Sequence, residues 1–282
     1  MTVLVTGGSL GIGYAIAKKC VQEGATVIIV ARTQDQLEAS LNQLRSLSPK
    51  PHRSYSLDVG NVTAVQELAR WIEDQGWELN GLVNCAGVLG PIGKTTAVDM
   101  GEFTETVRIN FLGTVYMCQA LAPRLRSQTR KKIVNCSGGG GSFPFPRYSA
   151  YAASKAAVVR FTENLALELA DEGFDVNCIA PGFVVTRMHQ ETLTAGPERA
   201  GQAHFEKTKE FLEKGGVPAE HAADLTAFLL SQDSDGITGK YISAVWDPWR
   251  QEEFQRRLRT DKDFATLRRI DDQHFFRKDS LE

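Results

Sequence analysis

Tyr151 and Lys155 stand four residues apart in Tyr-Ala-Ala-Ser-Lys, inside a segment whose apolar spacing predicts a helix over 149–171. Side chains at i and i+4 share one helix face, so the phenol and the ammonium are neighbours. A phenol titrates near pH 10, and a cation beside it stabilises the phenolate and draws that value toward neutrality. Such a pair can work as general acid and base on a carbonyl or an alcohol. It also arises by chance in many chains, and its meaning rests on what positions it.

A second chemical signal lies at the start of the chain, in Thr6-Gly7-Gly8-Ser9-Leu10-Gly11-Ile12-Gly13. The segment follows an apolar run at 2–6 and opens an amphipathic stretch at 12–23. Glycines there permit a tight turn and a close approach of backbone to a diphosphate, and a helix N-terminus offers free N–H groups to it. The spacing is G-x-x-x-G-x-G, not the commoner G-x-G-x-x-G. The second apolar run ends in Ala31-Arg32-Thr33, where an NAD site places a carboxylate for the ribose hydroxyls. Arg32 suits a 2′-phosphate instead, which favours NADP with NAD as the alternative. Leu10 supplies no second basic group.

The elements that must hold these residues follow from periodicity. Near-continuous apolar or β-branched runs at 2–6, 26–31, 53–57, 81–84, 132–136, 175–180 and 240–245 predict parallel strands covered on both faces. Amphipathic stretches at 12–23, 34–47, 62–75, 101–126, 149–171 and 219–231 predict helices between them. The alternation predicts an α/β fold, a Rossmann-like doubly wound parallel sheet of about seven strands. Two stretches break the rhythm. Residues 187–216 form a long insertion with Gly196, Pro197, Gly201, Gly215 and Gly216 as breakers, the usual look of a lid. Residues 247–282 continue past the last strand, with Phe254, Leu258, Phe264, Leu267, Ile270, Phe275 and Phe276 at partly helical spacing. We therefore expect a dinucleotide-binding catalytic domain over 1–246 and a C-terminal extension over 247–282.

A chain of 282 residues with 42% hydrophobic and 23% charged residues has material for a sizeable core. Its net charge of -2 provides no basic field for nucleic acid and no polybasic patch for a membrane. No apolar run reaches a bilayer span, and Met-Thr-Val-Leu-Val-Thr-Gly reads as a core strand without a charged leader. Cys20, Cys85, Cys118, Cys136 and Cys178 form an odd, unclustered set without a C-x-x-C pair. They read as small buried hydrophobes in a reducing cytoplasm. The five histidines, 52, 189, 204, 221 and 274, lack metal-ligand spacing, and no metal is expected.

Taken in order, these landmarks resemble the short-chain dehydrogenase/reductase family in its compact form, over residues 2 to 245. They are the glycine loop, Asp58-Val59, Asn84-Cys85-Ala86-Gly87, Asn110, Ser137, Tyr151 with Lys155, and Pro181-Gly182 with Thr186. The resemblance implies an NAD(P)-dependent oxidoreductase that moves a hydride between nicotinamide and a ketone or secondary alcohol. It implies that Gly7, Ser9, Leu10, Gly11, Ile12 and Gly13 hold the diphosphate, and that Arg32 and Thr33 serve the adenosine end. Asp58 and Val59 would border the adenine, while Asn84, Ala86 and Gly87 would line the cofactor past the fourth strand. The loop from Pro181 through Gly182 and Val184 to Thr186 would hold the nicotinamide, with the Thr186 hydroxyl near its carboxamide. Lys155 would also bind ribose hydroxyls beside Tyr151, and Asn110 would anchor a water in a proton relay.

In one respect the chain departs from the family. The serine that hydrogen-bonds the substrate oxygen usually lies thirteen residues before the tyrosine, and that position is Gly138. Ser137 is the expected replacement, delivered by the pliable Ser-Gly-Gly-Gly-Gly-Ser run, with Ser142 as a weaker candidate. Specificity is expected from 138–148, with Phe143, Phe145, Arg147 and Tyr148, and from the 187–216 lid. Relatives of this kind are generally homodimers or homotetramers, and Trp246 and Trp249 are expected to pin the extension to the domain or to a neighbouring subunit. Two other functions share parts of the pattern: a nucleotide-sugar epimerase or dehydratase, and a non-catalytic NADP-sensing protein. The absence of a larger C-terminal domain argues against the first, and intact Tyr151, Lys155 and Asn110 against the second.

Overall fold

In a computed structural model, described here over residues 1–270 without Gln128, seven strands build one parallel sheet. The strands are Thr2–Thr6 (β1), Thr26–Ala31 (β2), Arg53–Ser56 (β3), Gly81–Asn84 (β4), Lys131–Cys136 (β5), Phe174–Ala180 (β6) and Tyr241–Ser243 (β7). Their order is β3-β2-β1-β4-β5-β6-β7. The order reverses between β1 and β4, and that switch point is where such sheets open a ligand crevice at the strands' C-terminal ends. β4 and most of β1, β2, β5 and β6 are buried, as strands covered on both faces must be.

Two apolar layers flank the sheet. On one face Ile16, Ala17 and Cys20 of helix Gly11–Gln22 (α1) meet Leu225 and Leu229 of helix Glu220–Leu230 (α9), over Val3, Val5 and Val83. Leu37, Leu41 and Leu44 of helix Gln34–Leu47 (α2) join this layer. On the other face Val65, Leu68 and Ile72 of helix Val62–Asp74 (α3) pack with Met117 and Leu121 over Leu4, Leu82 and Ile133.

Three local departures from the expected elements affect the site. The helix expected over 101–126 is divided into Met100–Val107 (α4), a π-helical turn at Arg108–Leu112 and Gly113–Leu121 (α5). The helix expected over 149–171 is Ser149–Glu168 (α6). The insertion at 187–216 is two helices, Arg187–Ala200 (α7) and Gln202–Glu213 (α8), parted at Gly201, with a kink inside α7 at Gly196, where φ is 76°. The extension adds helix Glu252–Thr260 (α10). Residues 271–282 of the extension, with His274, Phe275 and Phe276, lie outside the described residues.

Candidate active site

The glycine loop turns directly off β1, and its backbone is packed so tightly that side chains would not fit. Gly7 has φ +67°, and a Cβ there would stand 3.0 Å from Ala86; a Cβ on Gly13 would collide with the Gly7 carbonyl. Leu10, at the N-cap of α1, provides no side-chain cap, which leaves the first N–H groups of a twelve-residue helix to a ligand. Thr6 fastens the neighbouring strand: its hydroxyl accepts the Cys85 and Ala86 N–H groups at 3.0 and 3.1 Å and donates to the Val83 carbonyl.

The loop forms one end of a cavity of about 1340 Å³. Ser9, Leu10, Gly11 and Ile12 line it, as do Arg32 and Thr33 after β2, Asp58 and Val59 after β3, and Ala86 and Gly87 after β4. Arg32 is exposed and makes no salt bridge among the described residues, so its fork is open to an anion. Asp58 is held by Arg108 at 2.6 Å and by the Gly60 N–H at 2.9 Å. Burial pushes its carboxyl up, but the Arg108 hydrogen bond and charge outweigh that and keep it below the usual carboxylate range. The cradle fits a dinucleotide: glycine backbone, open helix N-terminus and a free guanidinium fall in the order that its diphosphate and adenosine end require.

The other end of the cavity belongs to α6. Lys155 is 4% exposed, its Nζ donates to the Cys136 carbonyl at 2.9 Å, and it stands 5.9 Å from the centre of the Tyr151 ring. Phe145 meets Tyr151 edge-on at 6.4 Å and stacks on Tyr148 at 4.3 Å, which makes an aromatic wall. Burial pushes the Tyr151 phenol up and the Lys155 ammonium down. In the protein alone the shift of the phenol is thus away from neutrality, because desolvation penalises the phenolate and Tyr241, Cys85 and Cys136 add to it. At neutral pH Tyr151 is a protonated hydrogen-bond donor.

The fold settles two further positions. Ser137 lies on the cavity wall, yet its N–H is tied to the Ile179 carbonyl at 2.9 Å, continuing the β5–β6 ladder, and its hydroxyl donates to the Lys155 carbonyl at 3.1 Å. Strand pairing fixes the register of Ser137, and its hydroxyl is engaged by the backbone of α6. Gly138 is the residue facing the phenol: a Cβ there would stand 2.5 Å from the Tyr151 Oη. Asn110 is fully buried in the π-helical turn; its Oδ1 accepts the Val88 N–H at 2.8 Å while its Nδ2 donates to the Val88 carbonyl at 2.9 Å and to Ser154 at 3.0 Å. Asn110 therefore clamps the post-β4 loop to α6 from beneath the cavity.

Asn84 also lies under the cavity instead of lining it. Its Nδ2 donates to Asn135 Oδ1 at 2.9 Å, a rung between β4 and β5. Pro181, Gly182, Val184 and Thr186 do line the cavity, and the Thr186 hydroxyl caps α7 beside His189 Nδ1 at 3.3 Å. Burial and the nearby His204 lower the His189 pKa to about 4, with the Thr186 backbone opposing the shift, so this lid imidazole is neutral. Several cavity residues were not anticipated. Tyr241 donates from Oη to the Gly138 carbonyl at 2.9 Å; Asp247, half-buried, accepts the Ser243 N–H at 2.7 Å; Trp246 is 82% exposed at the rim. A tyrosine in a last strand carries no local signal of this, since only the three-dimensional neighbourhood of β5 and β7 brings it near.

An α/β sheet with a glycine cradle at its switch point and a Tyr–Lys pair across the same cavity defines a dinucleotide-dependent oxidoreductase. Residues 1–196 match the family model described as short chain dehydrogenase. The 3-oxoacyl-(acyl-carrier-protein) reductase FabG of Thermotoga maritima is 31% identical over 241 residues, 85% of this chain and 94% of that protein. A solved NAD+-bound xylitol dehydrogenase superposes with TM-score 0.75 at 26% identity, over 86% of this chain and 96% of the other. A short chain dehydrogenase from Escherichia coli CFT073, complexed with NADPH, superposes with TM-score 0.74 at 29% identity, over 86% and 96% of the two chains. This chain belongs to the short-chain dehydrogenase/reductase family and is an NAD(P)-dependent oxidoreductase. Among the described residues no helix is long and apolar enough to cross a membrane, and no group of three or more His, Cys, Asp or Glu could hold a metal ion.

Proposed function

We propose that this protein is an NADP-dependent reductase of a ketone, with Tyr151 as the proton donor. The observation that carries the reading is the half-buried, protonated Tyr151 phenol facing the same cavity as the glycine cradle and Arg32. A bound nicotinamide supplies or takes the hydride. Tyr151 donates to the carbonyl oxygen and hands over its proton as negative charge grows there. Lys155, pinned by the Cys136 carbonyl, holds the ribose hydroxyls and stabilises the phenolate left behind. Asn110 keeps the Val88 loop and α6 in register and orders the water that returns a proton. Ser137 fixes the α6 backbone at Lys155, so the oxygen is polarised chiefly by Tyr151.

At the adenosine end Arg32 would pair with the 2′-phosphate beside Thr33, and Asp58 and Val59 would border the adenine. Ala86 and Gly87 line the mid-section, while Pro181, Gly182, Val184 and Thr186 hold the carboxamide end. The catalytic unit is 1–246, with the later residues as a cover. Five free cysteines fit a cytoplasmic protein, and by family habit it is a homodimer or homotetramer.

The test is oxidation of NADPH and of NADH against a ketone panel, with Tyr151→Phe as control. NADPH is expected to be preferred, and the variant to lose about 100- to 10,000-fold in kcat while binding NADPH almost as well. Normal turnover by Tyr151→Phe overturns the proton-donor assignment, and a preference for NADH overturns that of Arg32.

A further inference from the structure

Two thiols that the hydride chemistry does not use lie side by side in the cofactor cavity. β4 and β5 pair in parallel, with Val83 opposite Val134 and Asn84 opposite Asn135, so Cys85 and Cys136 are the next pair. Side chains alternate along a strand, and these two share a face with Val83 and Val134; Cys136 belongs to, and Cys85 packs against, the same apolar cluster. Neighbouring strands run about 4.8 Å apart, inside the span of about 4.4–6.8 Å between Cα atoms that a disulfide bridges.

We propose that Cys85 and Cys136 form a dithiol modification site, oxidised by hydroperoxides or small-molecule disulfides to a bond that closes the cofactor cavity to its ligand. Both residues line that cavity, and Cys85 is partly exposed. The neighbouring Cys136 thiol lowers the Cys85 pKa against the effect of burial, and the Lys155 ammonium adds to the lowering, whereas Cys136 is raised well above its usual value. Cys85 is accordingly the attacking thiolate. It displaces an alcohol or water from the peroxide and becomes a sulfenic acid. Cys136 then attacks that sulfur, water leaves, and the two thiols have given up two electrons and two protons in total.

The other cysteines do not compete, since Cys20, Cys118 and Cys178 are buried and burial pushes each thiol up to about 12. The consequence for ligand binding follows from two anchors. Lys155 hangs from the Cys136 carbonyl, and Cys85 leads directly into Ala86 and Gly87 on the cavity wall. Bridging the sulfurs moves both, and a dinucleotide seated above them shields them in turn.

The experiment treats the full chain with hydrogen peroxide or diamide, with and without NADPH, and follows intact mass, peptide mapping and NADPH fluorescence. The expected result is a loss of two hydrogen atoms, a mapped Cys85–Cys136 link, and NADPH affinity lowered by about tenfold or more, 1.4 kcal/mol, restored by dithiothreitol. Bound NADPH is expected to slow the reaction, and Cys85→Ser or Cys136→Ser to abolish the link. A link between other cysteines, over-oxidation of Cys85 alone, or an oxidised wild-type protein that binds NADPH unchanged overturns the proposal. None of these readouts requires a ketone substrate, so failure of the reductase reading would be seen separately.

Discussion

At Gly138 the absence of a single carbon decides where the phenol can sit. A Cβ would lie 2.5 Å from the Tyr151 Oη, roughly 1 Å inside ordinary contact, so any side chain must push the phenol away. Restoring the family's residue with Gly138→Ser is therefore expected to lower kcat, by on the order of 100-fold for a misplacement of this size, with NADPH affinity retained. Steady-state kinetics beside a fluorescence titration check this; a faster Gly138→Ser enzyme would show that the phenol has room to yield. The Tyr151–Lys155 pair and the cradle were legible in the sequence because both are local, fixed by spacing within one helix or one turn. The serine was not. Whether residue 137 or 138 faces the phenol depends on the β5–β6 register and the Ser137 N–H bond to Ile179, which no count back from Tyr151 contains.

Among the elements, the lid formed by α7 and α8 carries a titratable lock. His189 stacks on Phe183 at 4.1 Å, its Nδ1 accepts the Thr186 N–H at 3.2 Å, and Phe211 stacks on Phe183 from α8 at 4.3 Å. Its pKa falls from the ordinary 6.5 to about 4, by burial first and His204 second. Below pH 6.5 the unfolded chain takes up a proton that the folded lid refuses, so stability is lost as pH falls from 6.5 toward 4 and is complete above that window. The melting midpoint is expected to drop across it, and less steeply in His189→Gln, which keeps a side-chain acceptor for Thr186 but does not titrate. Equal slopes in differential scanning fluorimetry from pH 7 to 4.5 would remove His189 from the account. The insertion was legible from its length and breakers as an interruption of the strand–helix rhythm. Its two helices were not, since Gly196 and Pro197 read as loop, and only the kink they make between two packed helical pieces reveals otherwise. The π-helical turn was likewise invisible: the apolar pattern of 101–126 is continuous, and the bulge exists to bury Asn110 against Val88 and Ser154.

Over the whole molecule, the extension answers a problem that the sheet creates. Among the described residues β7 pairs only with β6, and its outer edge presents backbone groups in need of partners. The Tyr241 N–H finds the Ala265 carbonyl at 2.7 Å, and the Lys240 ammonium finds the carbonyls of Asp261 and Phe264 at 2.7 and 3.0 Å. Farther along, Glu163 of α6 accepts the Leu267 N–H and the Arg268 guanidinium, each at 2.8 Å. The two tryptophans, alike in sequence, divide the work. Trp249 is 5% exposed, packed on Phe228 at 5.4 Å with Arg250 4.0 Å above its ring, whereas Trp246 is 82% exposed. Residue type alone could not say which would be the anchor. Trp249→Ala is expected to cost about 3 kcal/mol and to lower the melting midpoint by roughly 10 °C, while Trp246→Ala stays within about 0.5 kcal/mol in stability. Because Trp246 stands at the cavity rim, its loss should instead raise KM for a ketone that reaches that far. If the two variants melt alike, the extension is not pinned by Trp249, and the cover over β7 must be held by the Glu163 contacts, which Glu163→Gln would then test.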